Sequence, residues 1–331
     1  MGKIFNFFSG TDNRSGKGIS KKQVEYDKKL GFAFFFKLLK MRLGKFSGTN
    51  LTFALCNIFI FIALFGLSGN LDNSVPAASN PLYAQFSALS MNESGPAASA
   101  LYNIYCASAS TRVLSLASKT LMYSIFALII TFGLSTIGMV YNIRNVCTGE
   151  YVDTWHDFFY AIKRNFKQGI VVGLLDTTVI FLLIYDLFLY SASAGNSYML
   201  LIFYYAIILI SIVYYLMRFY IYLQLVTCEM SIWKLIKNSF LLTALGFKRN
   251  LVALIGTAAF VLLFLYAWIL LPQFAIILVC MFAFSFLTYI GVYCAYPVMK
   301  KYVIDPYYED NPDEAPVDPW SEQEQVFVDR E

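Results

Sequence analysis

The sequence predicts an all-α polytopic membrane protein with six transmembrane helices. Three observations carry this: an apolar composition, six long apolar runs, and basic residues gathered on alternate connections. Of the 331 residues 58 % are hydrophobic, 18 % aromatic and only 14 % charged, with a mean hydropathy of +0.59. Soluble domains carry about 25 % charged residues, because they must present a solvated surface. In water so apolar a chain would expose large greasy patches.

A bilayer-crossing helix needs about 20 mostly apolar residues, since the hydrocarbon core is ~30 Å thick. Such runs occupy 50–67, 121–141, 170–189, 199–223, 251–271 and 274–298. The last two are separated by little more than Pro272 and Gln273, where a proline ends the first helix and a tight hairpin follows. Lys37, Lys40, Arg42 and Lys45 precede the first run, and Arg144, Lys163, Arg164 and Lys167 lie between the second and third. Lys234, Lys237, Lys248 and Arg249 lie between the fourth and fifth, and Lys300 and Lys301 follow the sixth. Arg112 and Lys119 sit on the other side. The positive-inside rule therefore places both termini in the cytoplasm. With residues 1–46 polar and basic ahead of the first run, the N-terminus reads as an uncleaved anchor segment and no signal peptide.

The expected organisation is a cytoplasmic basic segment with an amphipathic helix (1–46), a six-helix transmembrane domain (47–301) and an acidic, disordered cytoplasmic tail (302–331). Within the membrane domain an outer loop spans 68–120, with a helix expected near 101–117. It holds a glycosylation sequon, Asn92-Glu93-Ser94, which has no meaning in a bacterium. Short amphipathic stretches precede the first, third and fifth runs: 34–46, 155–166 and 233–247. The chain can thus be read as three units, each a basic amphipathic helix at the cytoplasmic face followed by a transmembrane hairpin, or more blandly as ordinary cytoplasmic loops with interfacial aromatics.

Ionisable residues inside spans are costly and are functional suspects by default. Asp176 lies about two turns into the third span and Arg218 at the inner end of the fourth, so the two can pair between helices. A structural pair is the plainer reading, and a proton or ion path the sharper one. Asn57 lies mid-span in the first helix, and Asp186 reads as interfacial. The one histidine, His156, fits a helix start better than a general base. Six scattered cysteines with no CxxC read as packing residues, with Cys106 placed outside and Cys147 inside. No catalytic set, cofactor motif or metal site is expected, and the lysines are explained by topology and anionic lipid, with no nucleic-acid partner.

One stretch is specific. Thr131-Phe132-Gly133 and Thr136-Ile137-Gly138 end the second span, followed by Tyr141 and Arg144. Then come Asp157-Phe158-Phe159, Lys163, and Asn165-Phe166-Lys167-Gln168. This order resembles the YesL-like family, domain-of-unknown-function family 624, over residues 50–186, and by span pattern beyond. Two departures are Met139, where the family commonly has proline, and the long outer loop. Gly133 and Gly138 would admit a close neighbour. Asp157 would start a helix whose Phe158 and Phe159 dip into the bilayer while Lys163, Arg164 and Lys167 meet phosphates.

The resemblance implies a bacterial plasma-membrane protein whose relatives are linked to carbohydrate uptake and polysaccharide use. It supplies no reaction. The expected function is a non-enzymatic accessory or regulatory component, with the lipid bilayer and a membrane transporter subunit as partners. The alternative is a small-solute permease using Asp176 and Asn57.

Overall fold

In the computed structural model, residues 30–76, 95–97, 100, 104, 110–193, 195 and 197–312 are described. The basic segment 1–29, the sequon, Cys106 and the tail beyond 312 lie outside the described residues. The chain divides into two compact units, one of Met1–Phe53 with Leu134–Glu331 and one of Ala54–Gly133.

Helix follows helix: α1 Phe32–Cys56, α2 Ile58–Leu67, then α3 Leu116–Tyr123, which passes through a 3-10 turn into α4 Leu128–Thr148. Next come α5 Thr154–Arg164, α6 Phe166–Ser193, α7 Tyr198–Thr227, α8 Ile232–Leu245 and α9 Phe247–Leu270. The described residues close with α10 Pro272–Leu278, α11 Phe284–Met299 and α12 Asp305–Asp310, joined by π turns at Val279–Ala283 and Lys300–Ile304. Five stretches are long and apolar enough to cross a membrane: Leu116–Thr148, Phe166–Ser193, Tyr198–Thr227, Phe247–Leu270 and Pro272–Asp310. Helices α1 and α2 make a sixth if the broken pair is one span.

The elements differ from the sequence reading at three places, and the expected hairpin forms. The first span is interrupted at Asn57 (φ −107°, ψ 26°), whose Oδ1 accepts a bond from the Thr131 hydroxyl at 3.2 Å. In the outer loop the chain forms a two-stranded antiparallel ribbon, β1 Asn73–Pro76 with β2 Ser110–Val113; β2 falls inside the stretch near 101–117 expected to be helical, of which residues 104, 116 and 117 are helical. There β-branched Thr111 and Val113 take the extended form that suits them. The last helix does not stop at 298: it runs on through Asp310, so the first residues of the acidic tail are helical. At the hairpin Leu271 leaves the helix (φ −143°, ψ 70°), and Pro272 opens the next helix at its first turn, where a missing N–H costs nothing.

Besides Asn57, three further breaks fall in the same backbone region. The interruption falls at Arg42 inside α1 (φ −113°, ψ 16°), at Asn165 between α5 and α6 (−104°, 17°), and at Gly246 between α8 and α9 (−82°, 13°). A single residue in the sparsely populated bridge region turns each amphipathic helix into the longer one that follows.

In the larger unit, α1 packs on the last span. The Phe35 ring stacks on Tyr289 at 4.5 Å, and the Tyr289 and Tyr293 hydroxyls donate to the Phe35 and Gly31 carbonyls at 2.9 and 2.6 Å. Phe46 and Leu38 are buried there as well, so much of the expected interfacial stripe faces protein. The π turn frees backbone groups that lipid cannot satisfy, and Asn50 takes them up. Its Nδ2 donates to the Val279 and Cys280 carbonyls at 2.9 and 2.7 Å, and its Oδ1 accepts from the Ser285 N–H at 2.8 Å.

In the smaller unit, Ser118 is fully buried and donates to Asp72 Oδ1 at 2.7 Å, while Ser115 caps α3 through the Ser118 N–H. A Cβ at Gly66 would sit 2.9 Å from Leu121 Cβ, so only glycine lets α2 lie this close to α3.

Candidate functional site

Two groups of side chains hold the residues singled out by the sequence. The first joins α4, α5 and the start of α6. Helix α5 is capped by Asp153, whose Oδ1 accepts the His156 N–H at 3.4 Å, while Asp157 Oδ2 reaches back to the Asp153 N–H at 2.9 Å. Two orphan donors of the first turn are thereby satisfied reciprocally. Asp157 is therefore the helper of the cap, and the cap itself is Asp153, which the sequence reading passed over. The signal was present: an aspartate directly ahead of the amphipathic run.

The two phenylalanines of this helix separate. Phe158 is fully buried and its ring lies against Gly138 of α4, where an added Cβ would come within 2.7 Å of it. The expected insertion of Phe158 into lipid is corrected: on a helix, neighbours in sequence point about 100° apart, and the Phe158 side turns toward α4. Phe159 stays exposed, beside Trp155. Gly169 plays the matching part on α6, where a Cβ would collide with Ile137. The close approach foreseen at Gly138 is thus made to an aromatic ring.

Around this seat, buried Asn142 donates through Nδ2 to the Thr154 carbonyl (2.9 Å) and to Thr49 Oγ1 (3.3 Å), tying α4 to the start of α5 and to α1. Thr136 is buried in the same helix. The Arg144 guanidinium lies over the Tyr141 ring at 4.9 Å, donates to Asn145 Oδ1 at 2.7 Å, and stands 3.6 Å from Glu150. Asn165, at the break, donates to the Ala161 carbonyl at 3.0 Å. Lys163 and Lys167 are exposed. His156 is exposed too, 3.4 Å from Asp157.

The second group lies between α6 and α7. Asp176 is 3 % exposed and its carboxylate accepts four hydrogen bonds. Oδ1 takes Arg218 Nε at 2.7 Å and the Tyr214 hydroxyl at 2.8 Å; Oδ2 takes Arg218 Nη2 at 2.8 Å and the Tyr222 hydroxyl at 2.7 Å. The fork of the guanidinium matches the carboxylate in the bidentate form. Residues 214, 218 and 222 are four apart and so stand on one stripe of α7. Asp176 is ten residues beyond Phe166 and Arg218 nine short of Thr227, so each lies ~14–15 Å from that helix end. Equal depth lets them meet.

The pair was legible in the sequence; the two tyrosines were not singled out, although their spacing around Arg218 carried the signal. Asp186 lies ~15 Å further along α6, half-buried, and takes no part in this network. Asn57 belongs to the smaller unit and pairs with Thr131 there.

A sequence model of a family described as "Protein of unknown function, DUF624" matches residues 117–187. That stretch contains every motif position named above from Thr136 to Asp176, while residues 50–116, included in the sequence-level resemblance, lie outside the match. No curated protein and no solved structure matches the chain.

Proposed function

We propose that this multi-span membrane protein, whose segment 117–187 matches the DUF624 family, is a non-enzymatic accessory or regulatory component of carbohydrate uptake in a bacterial plasma membrane. Both termini lie in the cytoplasm, and the partner is a transporter subunit. The link to carbohydrate rests on the YesL-like family resemblance, and the orientation on the distribution of lysine and arginine.

The observation that supports an accessory role over a permease is the saturated carboxylate. A carrier aspartate must exchange partners with its solute or proton. Asp176 has all its acceptor positions engaged by Arg218, Tyr214 and Tyr222 and is almost completely buried. Such a group pins α6 to α7. The amphipathic helices α5 and α8, by contrast, display exposed Trp155, Trp233 and lysines at the face expected to be cytoplasmic.

A flux assay in reconstituted liposomes separates the readings. The accessory role predicts no movement of small sugars above empty liposomes, together with co-purification of a transporter subunit from the native membrane. Flux that disappears in Asp176→Asn, with the variant still folded, would overturn it in favour of the permease. Orientation is tested by thiol labelling from each side. Cys147 is buried, which makes half-buried Cys228 the better inner-face probe. Labelling of Cys228 from outside only would reverse the topology.

A further inference from the structure

Beside the α5–α6 break the molecule has a cavity of about 740 Å³. One wall is the break itself, with Lys163, Arg164, Lys167 and Gln168; the other is the connection from α7 to α8, with Cys228 and Glu229. The walls are bonded to each other. Arg164 Nη2 donates to the Val226 carbonyl at 3.4 Å and Gln168 Nε2 to the Met230 carbonyl at 3.2 Å. Three cations line it against one carboxylate, Glu229, so its field is positive. Trp155 on α5 and Trp233 on α8, both exposed, mark the depth at which aromatic side chains sit among head groups.

We propose that this cavity binds an anionic phosphate group. Lys163 and Lys167 meet its charge, and the Arg164 guanidinium and the Gln168 amide supply directed donors. A bare phosphate fills little of such a volume. The space suits a phosphate ester with a small polar body: the head group of an anionic phospholipid, or a soluble phosphorylated solute of similar size. Unlike Asp176, Lys163 and Lys167 are exposed, and exposed Arg164 meets the protein through Nη2 at the Val226 carbonyl. The site is independent of the accessory role proposed above and stands or falls separately.

Cys228 on the cavity wall is a built-in reporter. Burial raises its thiol pKa, opposed by the charge of Arg144, so labelling is slow and is best followed at mildly alkaline pH. The full-length protein is placed in nanodiscs and N-ethylmaleimide labelling of Cys228 is timed by peptide mass spectrometry. One arm compares nanodiscs of phosphatidylcholine with nanodiscs containing phosphatidylglycerol. The other adds inorganic phosphate or glycerol 3-phosphate to phosphatidylcholine nanodiscs.

Protection of roughly fivefold is expected in one arm, the factor for a site about four-fifths occupied. The arm in which it occurs identifies the source as lipid or free ester. The K163Q/R164Q/K167Q variant should lose the protection while labelling at its own rate in plain phosphatidylcholine. The K234Q/K237Q variant, on α8 outside the cavity, should keep it. No protection in either arm overturns the proposal. So does protection that survives the triple variant, or that K234Q/K237Q removes as well, since either result reports surface potential alone.

Discussion

Two sets of charge, one at the α5–α6 break and one within α6, are used in opposite ways. At the start of α6, Lys167 with Lys163 and Arg164 stands open to solvent beside a cavity. Some 14 Å further along α6, Asp176 is closed off by Arg218 and two tyrosines. The difference is set by what surrounds each. A charge at depth cannot rely on water, so it is tolerated only when its partners are complete. A charge at the head-group level is solvated already and keeps its capacity for a ligand. Burial and pairing make the ionisable residue within the span a poor candidate for a ligand, and leave the charges around the cavity for the site proposed above.

The contrast can be broken most directly at the closed cluster. Asp176→Ala leaves Arg218 buried without its anion and should cost about 3–5 kcal/mol, measured as loss of resistance to denaturant in detergent. The double variant Asp176→Leu with Arg218→Met should recover most of that. A single substitution that is silent would show that water reaches the pair, and would return Asp176 to the list of transport residues.

Next comes the seat of α5, which holds one wall of the cavity. Gly138→Leu drives atoms into the Phe158 ring and should cost about 1–3 kcal/mol or more by overpacking. It should also raise the labelling rate of Cys228 as the wall loosens. Asn50→Ala strands two carbonyls and one N–H of the last span, for about 1–3 kcal/mol, read by the same unfolding assay. Asp153→Ala removes one cap and should cost about 1 kcal/mol. Smallest of all, the Lys163 and Lys167 replacements should change stability by less than about 0.5 kcal/mol, while Arg164→Gln also gives up the bond to the Val226 carbonyl, worth about 1 kcal/mol. A large loss of stability from them would make the open cluster a structural one, and the contrast would fail.

Much of the architecture could be read from the residues, for identifiable reasons. The apolar runs are set by bilayer thickness, so five candidate spans and the bent pair α1–α2 lie where the runs do. Asp176 and Arg218 were the two opposite charges at similar depth on adjacent helices, which left each the obvious partner for the other. Tyr214 and Tyr222 were missed because tyrosines are abundant in this chain, and nothing but their spacing about Arg218 distinguishes these two. Asn50 could not be read at all. Its role depends on a π turn formed by residues more than two hundred positions away. Phe158 was misdirected because an amphipathic pattern shows that a face is apolar and is silent on whether lipid or protein covers it.

By itself, then, the sequence determined the solvent, the places of five candidate spans, and the helix breaks implied by Pro272 and the amphipathic segments. These follow from local hydrophobicity and backbone chemistry, which each segment carries with it. Only the tertiary structure decided which polar groups are spent and which are free. That Asp176 is saturated, that Asn50 serves a distant helix, and that Lys163, Arg164 and Lys167 border a cavity are facts about pairing between elements. A hydrogen bond has two ends, and the sequence displays them separately.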